Sequence, residues 1–168
     1  MREKTNRLLE KEDTDKTELF KLILTQLKAL LEGETYVIPN LANTSALLNQ
    51  HLNDINWVGF YLIQKGELLL GPFQGRPACI HIPIGKGVCG TAVSEGITQL
   101  VDDVHTFPGH IACDSASRSE LVVPIRVGNH IIGVLDIDSP TPGRFDAQDL
   151  EGLEKVAELL ANSCDWAL

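Results

Sequence analysis

Two apolar runs, Glu120-Leu-Val-Val-Pro-Ile-Arg-Val127 and His130-Ile-Ile-Gly-Val-Leu-Asp-Ile-Asp138, stand on either side of Gly128-Asn129. A two-residue Gly/Asn connection between strand-like runs is a strong local signal for an antiparallel hairpin, because such turns need positive φ. A second hairpin is predicted where Trp57-Val-Gly-Phe-Tyr-Leu-Ile63 and Leu68-Leu-Leu-Gly-Pro-Phe73 flank Lys65-Gly66, with Gly71 and Pro72 marking an edge or a bulge. Shorter strands are expected at Cys79-Ile-His-Ile82 and around Thr98 to Val101, with a short helix from Val88 to Glu95 after the Gly85-Lys-Gly87 turn.

Helical spacing is confined to the two ends. Asp15-Lys-Thr-Glu18 has capping-box-like spacing, and Leu19, Phe20, Leu22, Ile23, Leu27, Leu30 and Leu31 recur at helical intervals until Gly33. Residues 1–14 are read as a charged, flexible leader, and 15–168 as one domain. A second helix is predicted from about Asn40 to Leu52, and a last one after an Asp146 cap, carrying Leu150, Leu153, Val156, Ala157, Leu160 and Ala161 on one side. Hairpins in the middle and helices at both ends predict an α+β fold: a central antiparallel sheet with the N- and C-terminal helices packed on one face. Residues 102–117 lack any sustained period, and a loop of that length inside a compact domain tends to serve binding or catalysis.

Charge narrows the partners. The chain of 168 residues carries 14 Lys plus Arg against 23 Asp plus Glu, a net −9. No Lys/Arg cluster is longer than a pair, so neither nucleic acid nor an anionic membrane finds a basic footprint. No stretch offers about 18 consecutive apolar residues, and the N-terminus lacks an apolar signal core, so a cytoplasmic location is expected. In that compartment four cysteines are not a structural disulfide framework; core packing, metal ligation and redox chemistry remain.

Cys79, Cys89 and Cys113 fall among the turns and the long loop, whereas Cys164 lies on the last helix and reads as packing. The spacing of Cys79 and Cys89 is no C-x-x-C motif, and His81, His105 and His110 do not complete zinc-type spacing. Cys113 lies among small polar residues, which suits an accessible thiol; from spacing alone a reactive thiol and a half-buried loop cysteine both stand. Asp136 and Asp138 alternate with Ile137, so period 2 sends both carboxylates to one face. They either cap the turn at Ser139-Pro140 or receive a cationic group such as an α-ammonium, and Glu120 opens the partner strand near them. Trp57 and Tyr61 share a strand face with Gly59 between them, which is either core packing or an aromatic-walled space.

Seven segments together carry a resemblance: Leu41-Ala-Asn-Thr-Ser-Ala-Leu47, Ile55-Asn-Trp-Val-Gly-Phe-Tyr-Leu62, Leu70-Gly-Pro-Phe-Gln-Gly75, Gly87-Val-Cys-Gly-Thr-Ala92, Gly109-His-Ile-Ala-Cys-Asp114, Ser119-Glu-Leu-Val-Val-Pro124 and Gly133-Val-Leu-Asp-Ile-Asp-Ser139. The chain resembles the free methionine-(R)-sulfoxide reductases, enzymes built on a single GAF domain. The resemblance implies Cys113 as nucleophile, Cys79 as principal resolving thiol and Cys89 as a second thiol. It also implies Trp57 and Tyr61 as pocket walls, and Glu120, Asp136 and Asp138 as holders of the sulfoxide oxygen and the α-ammonium. Glu120 is the expected proton donor, with Asp138 the alternative, since crowded carboxylates raise one another's pKa. The implied cycle runs through a sulfenic acid and a disulfide recycled by an external dithiol such as thioredoxin, with no metal or organic cofactor. Rival readings are a non-catalytic GAF small-molecule sensor and a peptide-level reductase. A homodimer is left open.

Overall fold

The computed structural model describes the backbone of residues 2–111 and 113–166 and the side chains from residue 16 onward, Ala112 and the last two residues excepted. The elements follow in the order α1 (Arg2–Leu31), α2 (Val37–His51), β1 (Trp57–Gln64), β2 (Glu67–Gly75), β3 (His81–Pro83), α3 (Gly87–Glu95), β4 (Gln99–Val101), a 3₁₀ turn (Val104–Thr106), β5 (Ser119–Val127), β6 (His130–Ser139) and α4 (Ala147–Ser163). The strands form one six-stranded antiparallel sheet in the order β3-β2-β1-β6-β5-β4.

Both predicted hairpins form: β1 turns into β2 through Lys65 and Gly66, at φ 51 and 85, and β5 turns into β6 through Gly128 at φ 57. Helices α1, α2 and α4 cover one face of the sheet. There Phe20, Ile23, Leu27, Leu41, Leu48, Leu153, Val156 and Leu160 bury against Val58, Phe60, Leu121, Val123, Leu135 and Ile137. The alternate residues of the same strands, Trp57, Tyr61, Val122 and Val134, face the other way and meet Val88, Cys89 and Ala92 of α3. Period 2 thus makes the sheet a shared wall: a helix-backed core on one side, a smaller chamber on the other.

Asp146 caps α4 as predicted. Its side chain accepts from the N–H groups of Gln148 and Asp149, while Asp149 Oδ2 accepts from the Asp146 N–H, a reciprocal capping box. Lys16 bonds to both carboxylates, which pins α1 to the start of α4. Helix α1 itself begins at Arg2, so the helix start predicted at Asp15 falls inside it and residues 2–14 continue the same helix. The run from Arg2 to Asp13 is rich in Glu, Lys, Arg and Leu, which are good helix formers, and Asp15 therefore interrupts nothing.

Other boundaries differ as well: helix α2 begins at Val37 rather than about Asn40. Strand β3 begins at His81 rather than at Cys79, whose backbone carbonyl instead accepts from the Tyr61 hydroxyl at 3.0 Å. Helix α4 ends at Ser163, so Cys164 is its C-cap rather than a helical residue. Cys164 is half-buried, with its sulfur accepting from Asn40 Nδ2 at 3.4 Å.

Candidate active site

The chamber opposite the helices is floored by the three central strands. Their register places Glu120 of β5 opposite Asp138 of β6, and Asp138 opposite Trp57 of β1; one step along, Val122, Asp136 and Gly59 form the next row. Three carboxylates from two adjacent strands therefore project into one space lined also by Trp57, Tyr61, Val88, Cys89, His110 and Cys113. The cleft encloses about 520 Å³ of empty space including its mouth.

Glu120 and Asp136 are only 6% and 5% exposed. Burial, and then the charges of Asp136 and Asp138, push the Glu120 carboxyl well above its ordinary value. Burial and the Asp136 charge do the same to Asp138. Asp136, also raised by burial but partly relieved by hydrogen bonds from Cys89 and Glu120 and from the Ile137 backbone, reaches about 6. The ordering is physical: like charges in one dry site do not all ionise, and the best hydrogen-bonded member ionises first. Asp136 is therefore the member most readily ionised, and Glu120 and Asp138 are held further toward their protonated forms. Asp136 Oδ1 is enclosed and has no hydrogen-bond partner among the described residues.

The walls are aromatic and thiol. Trp57 stacks on Tyr61 at 5.8 Å between ring centroids and on Phe73 at 5.2 Å. The space expected above Gly59 is not part of the cleft: a Cβ at Gly59 would lie 2.3 Å from the Cβ of Phe73, so β2 occupies it. The β1–β2 register shift between Gly59 and Tyr61 brings the strands this close, and only glycine admits the approach. The indole Nε1–H of Trp57 donates to the Arg76 carbonyl at 3.2 Å, so with the Tyr61 bond both aromatics hold the segment leading to Cys79.

Cys79 and Cys113 are joined in a disulfide with a Cα–Cα distance of 5.4 Å and a sequence separation of 34. Cys79 comes from the connection between β2 and β3, and Cys113 from the connection between β4 and β5, so the bond reaches across the chamber face of the sheet. Cys89 remains a free thiol at the start of α3, with Sγ 3.9 Å from Glu120 Oε1. Burial, and then the charges of Asp136, Glu120 and Asp138, push its pKa well up and keep it protonated. Ligand atoms of Cys89, Glu120 and Asp136 lie within 4.8 Å of one another, which is the donor group in the chamber best suited to a cation.

Four residues of the site escaped sequence reasoning. His110, noted in the sequence only as failing to complete zinc-type spacing, lines the cleft with Nε2 3.9 Å from Glu120 Oε2. Burial and then His105 lower its pKa, so it faces Glu120 as a neutral imidazole and not as an ion-pair partner. Asn56, Asp114 and Ser117 form a cluster beside Cys113, with Asn56 Nδ2 donating to Asp114 Oδ2 and to Ser117 Oγ, each at 3.0 Å. Asn56, His110 and Asp114 all stood in segments that carry the resemblance, which was the signal available; Ser117 lay outside them. Of the expected residues, Cys113, Cys89, Glu120, Trp57, Tyr61, Asp136 and Asp138 line this cleft, and Cys79 joins them through its disulfide to Cys113.

A GAF domain carrying thiols and buried acids on one face of its sheet is the class this geometry defines, and the GAF domain family profile matches residues 15–164. The free methionine-R-sulfoxide reductase of Escherichia coli is 54% identical over 146 residues, covering 87% of this chain and 88% of that protein. The free methionine-R-sulfoxide reductase of Saccharomyces cerevisiae is 46% identical over 159 residues, covering 89% and 88%. Among solved structures, the fRMsr of Staphylococcus aureus in complex with substrate superposes with a TM-score of 0.83 at 57% identity, covering 87% of this chain and 95% of that one. The chain belongs to the GAF domain family and, within it, to the free methionine-R-sulfoxide reductases.

Proposed function

We propose that this enzyme reduces free L-methionine-(R)-sulfoxide to L-methionine by a cysteine sulfenic acid route. The observation that carries the reading is the Cys79–Cys113 disulfide closing a pocket with two buried acids, a half-buried third and two stacked aromatics. A sulfoxide sulfur becomes electrophilic only when its oxygen receives a proton or a hydrogen bond, so a thiolate and an acid must act together. In the reduced enzyme the Cys113 thiolate attacks that sulfur, and Glu120, whose carboxyl is pushed toward its protonated form by burial, gives its proton to the sulfoxide oxygen. The oxygen passes to Cys113 as a sulfenic acid and methionine leaves with two fewer oxidation equivalents. Cys79 then attacks the sulfenic sulfur, releasing water and forming the disulfide. An external dithiol, for which thioredoxin is the proposed donor, returns both thiols by exchange. The route requires neither a metal nor an organic cofactor, and it fits a reducing cytoplasm.

Substrate selection follows from the acids. Asp136, the charged member with an unpartnered oxygen, is the seat for the α-ammonium, and Asp138 flanks it. Trp57 and Tyr61 supply an apolar wall for the methyl and side chain. Acylating the amine leaves a buried carboxylate unpaired, which costs about 2–5 kcal/mol.

The test incubates the purified protein and a dithiol with the free (R) sulfoxide, the free (S) epimer, N-acetyl-methionine-(R)-sulfoxide and an oxidised peptide. The expected result is methionine from the free (R) epimer, with N-acetylated substrate slower by a factor of about 30 or more. Failure to turn over the free (R) epimer overturns the reading in favour of a sensor. Equal turnover of the peptide makes the enzyme a peptide-level reductase.

A further inference from the structure

Among its described residues the segment carrying Cys113 has no helix or strand, yet a nucleophile must meet its target within a few tenths of an ångström. One side chain accounts for much of its placement. Asn56, the residue before β1, uses both amide hydrogens on this segment: one to Asp114 Oδ2 and one to Ser117 Oγ, each at 3.0 Å. Its backbone N–H donates to the carbonyl of Asp138 at 3.0 Å, so the grip is anchored on β6, the strand that carries the acids. Asp114 in turn accepts from the Ala116 N–H at 2.9 Å, which closes the segment on itself. Ser117, 5% exposed, accepts from Asn56 and hydrogen-bonds the Asp138 carboxylate. Asn56 Oδ1 is enclosed with no partner among the described residues, so this amide is retained for what it donates. An aspartate at the same place would offer no donor and would set a carboxylate between Asp114 and Asp138.

We propose that Asn56 and Ser117 are positioning residues that act as one unit, locking the Cys113 segment in register with the acid pocket so that nucleophile and proton donor address the same sulfoxide. Ser117 lines the cleft and acts through Asp138, while Asn56 stands behind it and acts through Asp114 and Ser117. The inference rests on the reductase reading above and adds to it the source of the alignment.

The experiment measures single-turnover methionine release from fully reduced enzyme over a range of free (R) sulfoxide concentrations, for wild type, Asn56→Ala, Ser117→Ala, the double variant and Ser117→Thr. Positioning predicts that each alanine variant slows the maximal rate by about 100-fold while the half-saturating concentration moves by less than about threefold. Because the two residues act as one unit, the double variant is no slower than the worse single variant within about threefold. Ser117→Thr, which keeps the hydroxyl, recovers most of the rate. Losses that multiply in the double variant, a maximal rate within about threefold of wild type in either single variant, or an effect confined to half-saturation overturn the proposal. Thermal melts of the same samples establish folding; if Asn56→Ala does not fold, Ser117→Ala and its threonine rescue decide the matter by the same rate criterion. Wild type that releases no methionine refutes the reductase reading itself, a different result from wild type that works and variants that match it.

Discussion

Replacing Asp136 with asparagine should stabilise the protein while weakening its function, and the size of the gain follows from the pocket. In the folded chain burial raises the Asp136 carboxyl from its ordinary value of 3.8 to about 6. The folded state therefore binds its proton more tightly than the unfolded state does, and stability contributed by this group is present below about pH 4 and lost as pH rises to about 6. At about 1.4 kcal/mol per pH unit the full loss is about 3 kcal/mol, reached near neutral pH. At pH 4.5 only about 1 kcal/mol has been lost. For a domain of this size about 1 kcal/mol moves the melting temperature by 2–4 °C, so the reduced Asp136→Asn variant should melt about 6–12 °C above wild type at pH 7.5 and only about 2–4 °C above it at pH 4.5. Melting both proteins with dithiol present and subtracting one from the other cancels Asp103, Asp114 and Asp146, whose carboxyls are held low in the folded state and pull the opposite way. Asparagine keeps the shape and removes the charge that also raises Glu120 and Asp138. Equal melting temperatures at pH 7.5, or a gap that widens toward acid, would refute the reasoning. In parallel the half-saturating substrate concentration should rise about 30-fold or more as the ammonium loses its partner.

Among thiol variants, Cys113→Ser should release no methionine in a single turnover, whereas Cys79→Ser should release one equivalent and stall; mass spectrometry of the stalled protein should show one added oxygen, and the reverse pattern would exchange the two roles. Glu120→Gln should slow the chemical step by about 10²–10⁴ with little change in substrate binding, as measured by rapid-quench release against equilibrium binding of methionine. An effect confined to binding would move the proton donor to Asp138.

Much of the fold could be read because its signals are local. The 120–138 hairpin needed only alternation and a Gly-Asn turn, and the α4 start needed only Asp146 and the helical run behind it. The pairing of Asp136 with Asp138 on one face came from period 2 alone, and Glu120 followed once the hairpin register was right. What could not be read depends on contacts between distant segments. Asn56 is 58 and 61 residues from the partners it holds, and it precedes the strand whose alternation was informative. The space above Gly59 was lost to Phe73 because the β1–β2 register shift is a property of two strands together. The choice between Cys79 and Cys89 as partner of Cys113 likewise turned on which segment the Trp57 and Tyr61 side chains tether, and no spacing rule contains that.

The disulfide has a consequence for durability. It ties the β2–β3 connection to the β4–β5 connection, one on each half of the sheet, across a separation of 34 residues. A cross-link closing a loop of that length removes conformational freedom from the unfolded chain worth about 4 kcal/mol in the chain-entropy account. On the cycle proposed above, each turnover would raise and lower the resistance of the whole domain to unfolding. The reduced enzyme awaiting substrate lacks this strap and also holds an uncompensated charge on Asp136, so it is the form most open to proteases and heat. On the same proposal, substrate would relieve the charge and oxidation would add the strap, so an enzyme busy with its oxidised substrate would spend more of its life in forms that are harder to destroy.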